Sequence, residues 1–207
     1  MINEVGIVDY GMGNISSLQN AISELGGNSS IIKEPSELLL YEKIILPGVG
    51  AFGDAIKSIK MRGFLDPLNA YYKSGRDVLG ICLGMQLMCK TPEENGFHAG
   101  LGWFDAEVKK LEISNNAKIP HIGWNDIKIS KKHTLMDNIQ DGTDFYFVHS
   151  YRVCCNNKSD ELTKSYHGLE FTSSIQIENL YGVQFHPEKS QDKGLYLLKN
   201  FLELAHA

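Results

Sequence analysis

With 207 residues, 43% of them hydrophobic, the chain is long enough to bury one core and short for two, so a single domain over 1–207 is expected. A formal net charge of -5 gives no electrostatic reason to expect a nucleic-acid partner, because phosphate binding needs clustered Lys and Arg. No apolar run approaches the roughly 20 residues that span a bilayer, and the N-terminal MINEVGIVDYG is acidic where a secretory signal would be basic, so a cytoplasmic protein with no membrane partner is expected.

From Val5 onward the chain alternates short apolar strands with helical segments. Val5 to Val8, Ser30 to Ile32, Lys43 to Leu46 and Val78 to Ile81 read as strands. Helices are predicted from about Ser16 to Leu25, from Ala51 to about Met61 and around Leu65 to Tyr72. Ser16 or Ser17 is the predicted cap of the first helix and Gly26-Gly27 its stop, since glycine accepts the left-handed backbone common just past a helix. Strand and helix in turn predict a parallel sheet with crossover helices.

Beyond residue 100 the pattern becomes β-rich. Asp105 to Leu111, Asn125 to Ile129, Phe145 to Arg152, Leu169 to Gln176 and Tyr181 to Phe185 carry alternation or aromatic and β-branched enrichment. Gly194 to Ala205 closes the chain as an amphipathic helix with Leu197, Leu198, Phe201 and Leu204 on one face. The predicted fold class is α/β, a mostly parallel sheet with helices on both faces and antiparallel β additions.

The four cysteines, Cys82, Cys89, Cys154 and Cys155, form no CxxC pair and include two neighbours, which argues against a disulfide framework or a zinc site. No two histidines stand four apart with a carboxylate between them, so no metal and no cofactor is predicted. Tyr10 to Asn14 carries a G-x-G after a strand, but without a third glycine it is a weak phosphate-loop signal.

Chemistry concentrates at Cys82. Val78 to Gln86 reads strand, G-x-C-x-G, helix, the thiol counterpart of the nucleophile elbow. Gly80 and Gly84 let the chain turn sharply, and the helix from Leu83 aims unsatisfied N–H groups at the sulfur, favouring thiolate and offering the Leu83 N–H to an oxyanion. Taken alone, Cys82 could equally be a small buried residue, which is the better reading for Cys89. The second signal is Gln184-Phe185-His186-Pro187-Glu188 after a strand: residues two apart in extended chain share a side, so His186 can serve as base and acid with Glu188 orienting its ring. The third is Pro47-Gly48-Val49-Gly50, by itself a tight turn, which beside an elbow can supply a second oxyanion donor at Val49.

Together these segments resemble the class I, or triad, glutamine amidotransferases. Nearly the whole chain is similar to their imidazole glycerol phosphate synthase branch, through PGVG at 47–50, GICLGMQLM at 80–88, PHIGWN at 120–125, FVHSY at 147–151 and GVQFHPEKS at 182–190. The resemblance implies a flavodoxin-like domain, a Cys82-His186-Glu188 triad, and a glutamine pocket lined by Gly50, Gln86 and the backbone of His149, Ser150 and Tyr151. It also implies a heterodimer in which a (β/α)8 cyclase docks near Trp124, Asn125 and Lys189 and receives ammonia through its barrel. Three other readings compete: a paralogue feeding amidation of a surface-polysaccharide sugar, a free-standing thiol hydrolase, and an idle scaffold for the cyclase. The last is disfavoured because every triad position holds the right residue type.

Overall fold

Four nearly unbroken apolar segments build the centre of the protein: β1 (Val5–Val8), β3 (Lys43–Leu46), β4 (Asp77–Ile81) and β12 (Leu180–Val183), every residue of which is buried. Such runs suit a parallel sheet covered on both faces. The computed structural model describes residues 4–92, 99–113 and 117–205, the rest of the 1–207 span lying outside the described residues. With β2 (Ser29–Ile32) at one edge, the strands run β2-β1-β3-β4-β12, all parallel, in flavodoxin-like order.

Alternate strand residues feed two cores. Val8, Ile44, Leu46 and Val78 pack under α2 (Phe52–Met61) and α3 (Leu65–Lys73), whose Phe52, Ile56, Ile59, Leu68 and Tyr71 are buried. Val5, Ile7, Ile45, Leu79 and Ile81 pack on the opposite face against α1 (Ile15–Glu24) and α5 (Gln191–Glu203), through Leu18, Ile22, Leu197 and Phe201. The stop of α1 is as expected: Gly26 stands at φ +72, its N–H bonds the Ser23 carbonyl at 2.9 Å, and the Gly27 N–H bonds the Ile22 carbonyl at 3.0 Å, a Schellman ending. The start is not. Asn14 holds the cap position without a side-chain bond, and Ser16 and Ser17 lie inside the helix.

Past β12 the sheet turns antiparallel through β11 (Glu170–Ile177), β10 (Glu161–Tyr166), β7 (His121–Ile129) and β8 (Thr143–His149). A side branch joins β5 (Cys89–Pro92), β6 (Phe104–Lys110) and β9 (Tyr151–Cys155), with β9 also touching β11. The strand expected over Phe145 to Arg152 is therefore two. It breaks at Ser150 because β8 pairs with β7 whereas β9 pairs with β6. β10 escapes a hydropathy reading because, Leu162 apart, its buried positions are polar and bonded sideways: Thr163 Oγ1 meets Ser173 and Ser174 Oγ at 2.6 Å each, and Ser165 Oγ donates to the Asp126 carbonyl at 2.7 Å. Among the described residues, no helix is long and apolar enough to cross a membrane.

At the N-terminal ends of β3 and β4, Lys43 Nζ is buried on Asp77 Oδ2 at 2.5 Å and also donates to the Leu204 carbonyl at 2.8 Å, tying the end of the last helix beneath the sheet. Breaking one side of a buried ion pair strands a charge, at a cost of about 3–5 kcal/mol. Asp77→Asn should lower urea-unfolding stability by that order, and adding Lys43→Met should restore part of it.

Candidate active site

The sheet's register assembles the site. Leu46 lies beside Gly80, and Ile81 beside Val183, so β3, β4 and β12 end level at the C-terminal edge of the parallel sheet. The Pro47 loop, Cys82 and the Gln184–Glu188 segment leave that edge side by side, where open α/β sheets place their ligands.

Cys82 takes φ +52 and ψ -108 between β4 and α4 (Leu83–Leu87). A non-glycine residue in this region stores on the order of 1–3 kcal/mol of strain, so the surroundings must hold it. Its N–H bonds the Val183 carbonyl at 2.7 Å and its carbonyl accepts from the Gln86 N–H at 3.3 Å. Both flanking glycines are required by packing: a Cβ on Gly80 would come 2.7 Å from the Met85 nitrogen, and one on Gly84 would strike the Leu46 carbonyl oxygen. The helix behind Cys82 is only five residues long. Its dipole is correspondingly small, so the hydrogen bonds around the sulfur and His186 are the stronger local influences.

His186 is buried, and its Nδ1 lies 2.8 Å from Glu188 Oε1. Burial would depress the imidazole, but its neighbours Cys82 and then Glu188 overcome it and push the His186 pKa up to about 10. The ring nitrogen Nε2, turned towards Cys82, makes no hydrogen bond of normal geometry. Its backbone is pinned to β8: the His186 N–H donates to the Tyr146 carbonyl at 2.9 Å, while Ser190 Oγ donates to the His186 carbonyl at 2.6 Å and accepts from the Tyr146 N–H at 3.0 Å.

A cavity of about 330 Å³ opens over the sulfur, lined by Cys82, His186, Val49, Gly50, Leu83, Gln86, His149, Ser150 and Tyr151, with Pro120 and Val148 completing it. Every predicted oxyanion and pocket residue thus faces one space. Trp124 and Lys189 meet outside it, both against the Tyr146 ring, and Trp124 shares an exposed apolar strip with Ile122 and Ile119. Asn125 is half-buried behind this strip. Among the described residues, no group of three or more His, Cys, Asp or Glu is placed to hold a metal ion.

The profile of the class-I glutamine amidotransferase family matches residues 6–205. The chain belongs to that family. Among its relatives, the imidazole glycerol phosphate synthase subunit HisH of Sulfurimonas denitrificans is 42% identical over 200 residues, covering 95% of this chain and 96% of its own. The subunit named HisH 2 of Methanococcus maripaludis is 44% identical over 202 residues, covering 97% and 100%. Among solved structures, PurLQS from Thermotoga maritima superposes with a TM-score of 0.75 over 98% of both chains at 18% identity, a likeness of fold.

Within this amidotransferase, two residues near the sulfur were not singled out by the sequence. Gln184, fully buried, donates from Nε2 to Cys82 Sγ at 3.6 Å and accepts at Oε1 from Gln86 Nε2 at 2.9 Å. It precedes His186 by two residues on extended chain, so the alternation that places His186 also marks Gln184. Ser190 had no signal beyond its place in the GVQFHPEKS segment. The other thiols are unsuited to attack: burial raises the pKa of Cys89, Cys154 and Cys155.

Two further histidines stand by the cavity, His149 in its wall and His121 behind His149. Burial, reinforced by neighbouring imidazoles, holds His149 down to about 3 and His121 to about 4, so both rings stay neutral. An unfolded histidine titrates near 6.5, so from there downward the unfolded chain takes up protons that the folded one refuses, and stability falls with pH. His186 acts oppositely: its contribution is complete below about 6.5 and is lost as pH rises through about 10. The urea midpoint should therefore drop between about pH 6.5 and pH 4.5, and drop less in His121→Phe.

Proposed function

We propose that the chain is a single catalytic domain, the glutaminase subunit of an imidazole glycerol phosphate synthase in histidine biosynthesis, with Cys82, His186 and Glu188 as its triad. One observation carries the mechanism: a strained cysteine and a buried histidine of raised pKa border a single cavity, and a carboxylate holds the histidine's far ring nitrogen. Near full-length identity of 42–44% to HisH subunits supports the pathway.

The Cys82 thiolate attacks the carboxamide carbon of glutamine. The carbonyl electron pair moves to oxygen, which the N–H groups of Leu83 and Val49 receive; one such donor is worth roughly 3 kcal/mol of barrier. His186 Nε2 passes its proton to the nitrogen, ammonia leaves, and a glutamyl thioester remains. Water then attacks the thioester, giving its proton to His186, and glutamate departs as the thiolate re-forms. Glu188 keeps Nδ1 protonated and the ring aimed throughout.

Gly50, Gln86 and the His149–Tyr151 backbone hold the glutamine. A (β/α)8 cyclase covers the face bearing Trp124, Asn125 and Lys189, and receives neutral ammonia sheltered from water. An exposed apolar strip beside the cavity mouth, with Ile122 at 61% and Trp124 at 48% exposure, supports a docked partner there. Four free thiols suit the reducing cytoplasm.

A second reading keeps this chemistry and sends the ammonia to a surface-polysaccharide sugar. The relative in Methanococcus maripaludis carries the name HisH 2, a numbering that leaves room for such a paralogue. Glutamate release measured alone, then with the candidate cyclase and its ribulosyl phosphate ligand, separates the two: a strong rise in the full mixture supports histidine synthesis, and no rise transfers the case to the sugar. In the complex, Cys82→Ala should abolish glutamine-dependent synthesis and retain synthesis from ammonium salt. Glu188→Gln should lose less activity than His186→Ala, and a reversed order would overturn the assigned roles.

A further inference from the structure

β7 and β8 pair so that His121 lies opposite His149. His149 Nδ1 stands 2.8 Å from the Tyr151 carbonyl, His121 Nδ1 stands 2.9 Å from His149 Nε2, and Asn125 Nδ2 stands 3.3 Å from His121 Nε2. These contacts admit one arrangement of hydrogens. A carbonyl only accepts, so His149 carries its proton on Nδ1 and presents Nε2 as a bare acceptor. His121 must then carry its proton on Nδ1 as well, leaving its Nε2 to accept from Asn125. The second Asn125 amide hydrogen goes to the Tyr166 carbonyl at 2.9 Å, which fixes the amide against a flip.

The line continues past Tyr151. Its carbonyl also accepts from Gln86 Nε2 at 3.3 Å; that amide gives its other hydrogen to Gln184 Oε1, and Gln184 Nε2 donates to the Cys82 sulfur. Hydrogen bonds therefore run unbroken from the half-buried Asn125 to the nucleophile. Aromatic rings clamp the middle: His121 stacks on His167 at 4.0 Å and on Phe147 at 5.0 Å between centroids. Gly123, between His121 and Asn125, takes φ +136, where a residue with a side chain would be strained.

Resting on the glutaminase reading above, we infer that His121 is a positioning residue: it locks His149 in the Nδ1-protonated tautomer and so fixes the Tyr151 backbone and Gln86 that receive glutamine. The low pKa values of both rings fit this, since a proton on His149 Nε2 would confront the His121 N–H.

Two measurements on the full chain test it. Two-bond proton–nitrogen correlation spectra of the histidine-labelled wild type should show both His121 and His149 protonated at Nδ1; an Nε2 proton on His149 overturns the relay and requires no variant. In the complex with the candidate cyclase, His121→Phe keeps the stacking and loses the donor. It should raise the glutamine KM by roughly two- to tenfold, the worth of one hydrogen bond, with kcat little changed. His121→Asn, whose amide donates from about the Nδ1 position, should recover most of the affinity. An unchanged KM in a folded His121→Phe, or equal defects in the Phe and Asn variants, overturns the role. A wild type without glutaminase activity refutes the functional reading, while the spectra still decide the relay.

Discussion

The close approach of Gly84 to the Leu46 carbonyl is the constraint on which the active edge depends. It brings the first turn after Cys82 against the end of β3, so the elbow has one place to go, and the sulfur is carried to where the Pro47 loop and β12 also finish. The strain at Cys82 is sustained from both sides by backbone hydrogen bonds. Once the sulfur is placed, His186 follows from strand register, and Glu188 from the two-residue repeat of extended chain.

The electrostatics follow from this placement. A buried imidazole ordinarily loses its proton; here Cys82 on one side and the Glu188 carboxylate on the other reverse that tendency. A short helix contributes little, so the raised His186 pKa is the work of adjacent side chains rather than of a macrodipole. The site is consequently sensitive to register: sliding β12 by one residue against β4 would turn His186 away from the sulfur.

Where apolar residues are continuous, the sequence was legible: β1, β3, β4 and β12 fall within two residues of their expected bounds, as do α2 and α3. The grouping of Cys82, His186 and Glu188 was legible because its spacing encodes geometry directly. What stayed hidden has a common cause. β10 and the first half of β7 bury Thr163, Ser165 and His121, whose cost is met by hydrogen bonds to partners distant in sequence, and hydropathy is blind to such bonds. The break at Ser150 was invisible for the same reason, since it reflects a change of neighbouring strand rather than a change of local preference. The helix cap was misplaced because Asn14 serves through its backbone alone. Gln184 was in plain view but silent, its role defined only by what lies opposite.

β12 fills the slot beside β4, yet among the described residues it is the last strand, separated from β4 by about a hundred residues. Until it emerges during synthesis, β4 has an open edge, Cys82 lacks the Val183 carbonyl that holds its turn, and neither His186 nor Gln184 exists to act on the sulfur. A ribosome-bound fragment that ends before β12 therefore carries Cys82 without the neighbours that surround it in the folded protein. The topology delays the assembly of the site until β12 has been made.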